Sequence, residues 1–418
     1  MARKFNPFHP TSPVYHGMFS GRFNEINGID QAMYQTKNGN PNHIMLLGER
    51  GIGKTSLLLV ANGLARGDFD FSGEKYNFLS IQVNLDDRMS ITDLAISIKN
   101  RLKRELRKIN PEISLMENCW AFISQVECMG VSITKNVQSP SIDNNRISEE
   151  LTYSLIDTVK NITHDTIEKK IGLTQRKDGI VILIDESDRA NKELNLGAFL
   201  KKLTESLTIE NCNNILFIVA GLPSTKDVLA DSHESSLRIF QEYCLNPLSQ
   251  EEVNDVIRNG LEQSKKCSQT EIKIEEEALK SIYDYSEGYP HFVQQIGYSV
   301  FEVNNDDIIE KKDVTRGFFG DGGALDIIGA KYYEKLYYKD IRTDAQREIL
   351  RIMAEQWNGW VSRDYIKLKY SKNSTSLDNG LHALKDKNII LYKSGSRGQY
   401  RLQWGSFAFW IDIHRKKV

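Results

Sequence analysis

Hydrophobic and polar positions alternate along the chain in two patterns. Uninterrupted apolar runs lie at 43–47, 179–184 and 214–220, and each is short enough to be a buried strand. Stretches with apolar residues three and four positions apart separate these runs and predict helices. Strands that alternate with helices favour an α/β fold, in which a parallel sheet carries helices on both faces.

The pattern after the third apolar run is mainly helical. Helices predicted at 250–262, 274–285 and 291–303 would form a small helical lid. Three more helices and a β-hairpin are typical of a C-terminal winged helix-turn-helix, a fold that binds DNA or docks proteins. These last elements are predicted at 343–355, 360–369, 373–386, 388–393 and 399–403.

A glycine-rich loop directly follows the first apolar run. It reads G-E-R-G-I-G-K-T and matches the phosphate-binding motif G-x-x-x-x-G-K-[ST] at every fixed position. Its glycines allow a tight turn whose N–H groups face phosphate oxygens, at the positive end of the next helix. Lys54 is expected to reach the β- and γ-phosphates and Thr55 to ligate Mg²⁺. The predicted nucleotide-binding residues are Gly48, Gly51, Gly53, Lys54, Thr55 and Ser56.

Two carboxylates, Asp185 and Glu186, follow the second apolar run. Beside a phosphate loop, the first carboxylate is expected to hold Mg²⁺ through water. The second is expected to polarise the attacking water as general base. The pair therefore predicts hydrolysis of a nucleoside triphosphate, with Glu186 and Lys54 as catalytic residues.

The interval between Lys54 and Asp185 is longer than two strand–helix crossovers require, by about 60 residues. We expect the surplus to form an insertion at 111–173. Within it, two β-like runs over 120–137 predict a hairpin, and the apolar positions over 147–171 predict a long amphipathic helix. The insertion is either a partner-binding surface or extra packing around the core.

Composition and charge narrow the class of protein. The 418 residues are 40% hydrophobic and 26% charged, which excludes collagen-like, low-complexity and disulfide-scaffold proteins. Five scattered cysteines and the lack of a membrane-length apolar stretch or a signal-peptide pattern predict a cytoplasmic protein with reduced thiols. From Ile341 onward there are 15 basic and 7 acidic residues, although the net charge is −2. This basic end points to a nucleic acid, and chance clustering on a solvated surface is the alternative.

These motifs resemble the core of the AAA+ ATPases. The chain is most similar to the archaeal origin-recognition initiator ATPases, which share motifs with the STAND signalling ATPases. Besides the phosphate loop and the Asp185–Glu186 pair, three segments carry the resemblance. They are F-S-G-R-F-N-E-I at 19–26, S-L-R-I-F-Q-E-Y-C-L-N-P-L-S at 236–249 and E-G-Y-P-H-F-V-Q-Q-I-G at 287–297.

The resemblance implies further site residues. Arg22 stands where these ATPases fold over the adenine, and Pro290 where a lid proline packs against the base. Arg238 stands where an arginine reaches a neighbour's γ-phosphate, which implies a catalytic role and a homo-oligomer in the ATP-bound state. The alternatives are a salt-bridge partner for Arg22, a simple turn at Pro290 and a surface arginine at Arg238.

Two positions depart from the AAA+ pattern. His291 and Gln294 occupy the region of a lid arginine, and Ser224 or Thr225 must serve as the polar residue after the third strand. Both departures fit a signalling ATPase better than a fast motor.

Three domains are predicted: a nucleotide-binding domain at 1–246, a helical lid at 247–338 and a winged-helix domain at 339–418. The recognition helix would begin at Ser374, and Asp378 on it is unfavourable for a groove lined by phosphates. The predicted DNA-binding residues are Ser374, Lys385, Lys393, Arg397 and Arg401.

Two functions remain open at this point. One is a molecular switch that binds ATP and Mg²⁺, hydrolyses ATP slowly or on stimulation by a partner, and binds duplex DNA. The other is a signalling ATPase in stress or antiviral defence, whose winged helix and insertion dock a partner effector protein. A regulator that targets transposition to DNA shares the core but accounts less well for the C-terminal module.

Overall fold

The computed structural model describes residues 5–13, 19–109, 118–133, 144–163, 176–268, 271–357, 359–393, 396 and 398–414, with backbone only at 129–133. The chain divides into two compact units. One is Arg22–Asn246, and the other combines Met1–Gly21 with Pro247–Val418. Within the described residues, no helix has the length and apolar character that a membrane crossing requires.

A parallel sheet forms the centre of the first unit. Its strands are β1 His43–Leu47, β2 Leu79–Asn84, β3 Ile180–Asp185, β4 Ile215–Gly221 and β5 Phe240–Cys244. Their spatial order is β2-β3-β4-β1-β5, and every neighbouring pair is parallel. Leu47 is in register with both Gly221 and Cys244, so three strands end at one edge of the sheet. Ligands of such sheets bind beyond that edge.

The three predicted apolar runs are confirmed as the strands β1, β3 and β4, which are buried at every position. The strands β2 and β5 were not predicted. β5 lies at the edge of the sheet, and Gln241 and Glu242 in its centre are exposed, so it has no apolar run to recognise.

Helices cover the sheet. In α3, Leu94, Ile98, Leu102 and Leu106 lie four residues apart and are at most 1% exposed, as expected of a helix with one buried stripe. The helices of this unit are α1 Phe23–Lys37, α2 Lys54–Arg66, α3 Ile91–Ile109, α4 Ala121–Ile133, α5 Asn144–Thr163, α6 Leu196–Ile209 and α7 Thr225–Ser232.

The hairpin predicted over 120–137 is wrong, because α4 occupies most of that segment. Trp120, Ile123 and Val126 are buried at three-residue spacing, and the indole of Trp120 donates a hydrogen bond to Thr158 Oγ1 at 2.9 Å. The β-like composition was therefore that of a helix with one buried face. The long helix is confirmed as α5, and the predicted positions Ile167 and Ile171 lie outside the described residues.

The second unit begins as a bundle of helices. They are α8 Gln250–Ser268, α9 Glu276–Ser286, α10 Pro290–Val303, α11 Lys311–Phe319 and α12 Ala324–Ile328, with a short parallel pair β6 Lys273–Ile274 and β7 Ile308–Ile309. The N-terminal residues belong to this bundle and not to the predicted domain 1–246. Phe8 packs against Phe301 with ring centroids 6.5 Å apart, and the amide of Asn6 donates to Glu302 Oε1 at 2.7 Å.

The C-terminal part of this unit has the predicted helices and hairpin. They are α13 Asp344–Ala354, α14 Arg363–Lys369 and α15 Ser374–Asp386, with β8 Val361–Ser362, β9 Ile390–Tyr392 and β10 Gln399–Leu402 in the antiparallel order β8-β10-β9. A last helix, α16 Gly405–His414, was not predicted. Its apolar side chains share an aromatic cluster with Tyr333, whose hydroxyl pairs with that of Ser406 at 2.7 Å.

Candidate functional site

The glycine-rich loop joins β1 to the N-terminus of α2. Gly51 and Gly53 have φ angles of 79° and 97°, which side chains with a Cβ rarely adopt. The loop is tied to the neighbouring strand, because the N–H of Gly48 donates to the carbonyl of Gly221 at 3.2 Å. A thirteen-residue helix thus begins at Lys54 with its free N–H groups at the loop, as an anion-binding site requires.

Lys54 lies across this loop. Its ammonium donates to the carbonyls of Gly48 and Glu49 at 2.6 and 2.8 Å. Burial lowers the pKa of Lys54, whereas the charges of Asp188 and Asp185 raise it. The side chain is therefore held in place by loop oxygens and stands near two carboxylates.

Thr55 and the end of β3 meet beside the lysine. The hydroxyl of Thr55 donates to Asp185 Oδ2 at 2.7 Å, and the other carboxylate oxygen accepts the N–H of Glu186 at 2.8 Å. Asp185 is only 4% exposed. A hydroxyl and a carboxylate side by side are oxygen ligands that Mg²⁺ prefers, so these residues fit the ion that the motif implies.

Glu186 lies one residue beyond the buried carboxylate. Its φ angle of 56° is in the left-handed region, which is unusual for a residue with a side chain. The side chain is 45% exposed and forms an ion pair with Arg189 at 3.3 Å. The turn therefore directs consecutive carboxylates differently, with Asp185 buried and Glu186 open to water.

Two further residues of this site were missed or left undecided by the sequence. Asp188 Oδ1 accepts the N–H of Leu222 at 2.9 Å, and of the charged neighbours it raises the pKa of Lys54 most. Thr225 is fully buried, and its hydroxyl has no hydrogen-bond partner among the described residues, whereas Ser224 is exposed. The spacing D-E-S-D was the available signal for Asp188, but only the fold brings it beside the lysine.

Arg22 also belongs to this end of the unit. It precedes α1, is 8% exposed and donates to the carbonyl of Ile52 inside the glycine-rich loop at 3.1 Å. It also lies 3.6 Å from Glu25, so the salt-bridge alternative describes one of its contacts. Ser56 follows in the first turn of α2 and is half-buried.

Arg238 lies at the opposite edge of the sheet. It is exposed and precedes β5, whose first residue Phe240 is in register with His43 at the start of β1. The phosphate loop follows the end of β1, about 16 Å further along the strand. Arg238 is therefore too far to act on the phosphate loop of its own chain.

Pro290 lies in the second unit as the first residue of α10, a position that suits proline. Before it, Gly288 has a φ angle of 74°, and a Cβ there would lie 2.1 Å from the carbonyl oxygen of Leu248. The neighbouring His291 has a pKa lowered to about 4, mainly by burial and further by Lys331.

The predicted DNA-binding residues have different surroundings. Ser374 begins α15, and Lys385 and Lys393 are exposed, whereas Arg397 lies outside the described residues. The side chain of Arg401 is 40% exposed and lies 3.9 Å from Glu287 and 5.5 Å from the ring centroid of Trp360, so an acidic residue of the same unit accompanies this predicted contact.

Asp378, which would be unfavourable near DNA phosphates, forms an ion pair. The guanidinium of Arg363 donates to both of its carboxylate oxygens, at 2.7 and 2.9 Å. This ion pair lowers the pKa of Asp378. The negative charge on α15 is therefore balanced by a cation of the neighbouring helix α14.

Comparisons with known proteins agree with this architecture. No family model and no curated protein matches the chain. Among solved structures, it is similar to a Walker-type ATPase of Pyrococcus abyssi, at 15% identity and a TM-score of 0.56, over 97% of this chain and 100% of that one. It is also similar to the ORC2 protein of Aeropyrum pernix in its ADPNP–ADP complexes, at 12% identity and a TM-score of 0.55, over 100% of both chains. The chain thus has the α/β fold of these two proteins, a Walker-type ATPase and an origin-recognition protein, as its motifs predicted.

Proposed function

We propose that the protein binds and hydrolyses ATP and acts as a molecular switch. The observation that carries the proposal is the contact between Thr55 and Asp185 beside Lys54, which assembles the loop, the metal ligands and the cation of a phosphoryl-transfer site. The adenine nucleotides in the complexes of the Aeropyrum pernix protein support ATP as the nucleotide.

Each residue of the site has a role in this reaction. Lys54 would exchange its two carbonyl partners for phosphate oxygens and neutralise their charge, while the loop N–H groups bind the same phosphates. Thr55 and Asp185 would hold Mg²⁺, which when bound balances the negative charge between the phosphates. Glu186 is open to water and would orient and polarise the attacking molecule, and the hydroxyl of Thr225 would gain the partner it lacks.

Substitution of Glu186 separates binding from hydrolysis. In Glu186→Gln, ATP binding should stay within about twofold of the wild type, while release of phosphate falls at least about a hundredfold. Glu193→Gln, which alters another carboxylate of the same unit, is the control and should hydrolyse normally. Undiminished phosphate release from Glu186→Gln would remove Glu186 as the base.

We further propose that Arg238 acts on the nucleotide of a neighbouring copy. Its exposure and its distance from its own loop support this role. Arg238→Ala and Glu186→Gln should each be inactive alone. An equal mixture should recover activity, because the Glu186→Gln copy supplies Arg238 to the intact loop of the other. A mixture as inactive as its components would contradict an arginine shared between copies.

The C-terminal part of the second unit supports DNA binding as the output of the switch. Three helices and an antiparallel sheet in the order described are the elements of a winged helix, with α15 as recognition helix and β9–β10 as wing. Lys385 and Lys393 are exposed on these elements and form no ion pair with other described residues. Binding to a labelled duplex should weaken steeply with salt, and Lys385→Ala with Lys393→Ala should weaken it for every sequence tested.

Docking of an effector protein is the second candidate function. It is favoured by large apolar side chains on the same module, since Leu368 is 84% exposed and Tyr392 is 43% exposed. If the module docks a protein, Leu368→Ser should abolish capture of that partner and leave DNA mobility unchanged.

A further inference from the structure

The C-terminal half of α3 carries an unusual concentration of positive charge. Five of the eight residues at 101–108 are basic and only Glu105 is acidic. At 100° per residue the cations cover about 160° of the helix surface, and all but one are exposed. We define this surface as the basic α3 face, and its residues are Arg101, Lys103, Arg104, Arg107 and Lys108.

Most of this charge has no counterion within the described part of the chain. Glu105 is shared by Lys108, at 2.7 Å, and by Arg66 of the neighbouring helix. Arg104 and Arg107 form no ion pair with any described residue. Burial lowers the pKa of Lys177 most, Asp178 and Glu105 raise it and Arg66 lowers it, so Lys177 adds another cation to the neighbourhood of Arg66. An anion bound here would relieve this repulsion.

The face stands apart from the nucleotide site and from the core. Arg66 lies in the last turn of α2, about 18 Å along the helix from Lys54. The apolar side of α3 is already buried, with Leu102 at 0% and Leu106 at 1% exposed. The helix therefore has no free apolar face for insertion into a lipid bilayer, and only its charged side is left to contact a partner.

We propose that the basic α3 face binds the phosphate backbone of duplex DNA without reading its sequence, as a second contact besides the C-terminal module. Arginine supplies three of the five cations, and its planar fork suits phosphate oxygens. Arg101 and Lys108 are about 10 Å apart along the helix axis, a length over which one DNA strand places about three phosphates. The five residues of the face are all cations, and the amide of the adjacent Asn100 already donates to Glu127, so backbone contact is the recognition that the face supports.

The salt dependence of DNA binding by the full chain tests this proposal. The patch variant combines Arg101→Ala, Arg104→Ala and Arg107→Ala, and its matched control combines Lys266→Ala, Lys311→Ala and Lys312→Ala, which alters three exposed cations elsewhere. In the patch variant, the slope of log affinity against log salt should become shallower by about 2.7, because each phosphate that is no longer neutralised reduces it by about 0.9. ATP binding should be unchanged in both variants and serves as the check on folding.

The outcomes separate this inference from the proposed C-terminal contact. A shallower slope in the patch variant but not in the control supports the basic α3 face, whether or not Lys385→Ala with Lys393→Ala also weakens binding. Equal slopes for patch and control, or a loss confined to the C-terminal variant, would overturn the inference. Unchanged DNA binding with lost co-sedimentation on phosphatidylserine vesicles would assign the face to an anionic membrane and overturn it as well.

Discussion

The phosphate loop and the C-terminal module use charged residues in different ways. At the loop, the charged groups are arranged around one another: Lys54 bonds the loop carbonyls, and Thr55 bonds Asp185. In the module, the cations are spread over separate elements. Arg401 faces Glu287 and Arg363 neutralises Asp378, while the exposed lysines of α15 and the wing form no ion pair with the described residues.

This difference predicts how each region responds to substitution. The loop residues are placed by the ends of buried parallel strands, so each one has a role that no neighbour can take over. DNA binding by the module would be a sum of modest electrostatic contacts, which single substitutions change only slightly. A count of its basic residues therefore overstates the capacity of the module to bind DNA, because some of these residues form ion pairs within the fold.

The largest effect is expected at the loop. Lys54→Ala should lower ATP affinity at least about a hundredfold, because it removes a charge-assisted interaction with two phosphates. Titration of a fluorescent ATP analogue measures this, with Lys202→Ala as a control lysine on the surface of the same unit. Tight binding by Lys54→Ala would show that the nucleotide binds elsewhere and would contradict the claim that each loop residue has a role that no neighbour can take over.

The next largest effect is on stability and concerns His43 in β1. Burial lowers the pKa of His43 from 6.5 to about 4, and its Nδ1 accepts the N–H of Phe217 at 3.2 Å. Because the unfolded chain takes up the proton first, stability should fall as the pH drops from about 6.5 to about 4. The full effect is about 3 kcal/mol.

Urea unfolding across that pH window measures the effect of His43. His43→Gln retains an acceptor and should flatten the dependence for the first unit. His291→Gln should flatten it for the second unit, since His291 has a similarly lowered pKa. If neither variant alters the slope, both histidines are protonated at their ordinary pKa.

The geometry of the candidate phosphate loop could be predicted from the sequence because its motif is local. A continuous motif requires its glycines and lysine at fixed positions, and an apolar strand directly precedes each cluster of site residues. Asp188 could not be assigned in this way. Its role depends on contact with Leu222 after β4, and no local pattern reports which strands are neighbours in the sheet.

The sequence was less informative where tertiary contacts decide. Two runs of β-like residues formed α4, because Trp120, Ile123 and Val126 are buried together in one hydrophobic core. The contact of Arg401 with Glu287 could not be predicted, because Glu287 lies more than a hundred residues earlier in the chain. The C-terminal hairpin was predicted correctly, but its sequence does not indicate which residue contacts the side chain of Arg401.

Substitution of Glu287 tests whether its carboxylate stabilises the second unit. Its half-buried carboxylate accepts the N–H of Gly405 at the start of α16. Glu287→Ala should destabilise the second unit by about 1–3 kcal/mol, because this N–H loses its acceptor and Arg401 loses a nearby opposite charge. Glu287→Gln retains an acceptor oxygen and should lose less, and thermal unfolding compares the two. Equal stability of all three proteins would return Arg401 to the candidate DNA contacts.

The smallest effect sharpens the assignment of α15. The exposed Arg363–Asp378 pair should contribute about 0.5–1 kcal/mol to stability in a double-mutant cycle. The two single substitutions should change DNA affinity in opposite directions. Asp378→Ala leaves the cation unpaired and should strengthen binding, whereas Arg363→Ala leaves the anion unpaired and should weaken it. Gel shifts at low salt resolve these few-fold changes. If the two variants shift DNA equally, α15 does not face the duplex, and the exposed apolar residues of the module become its functional surface.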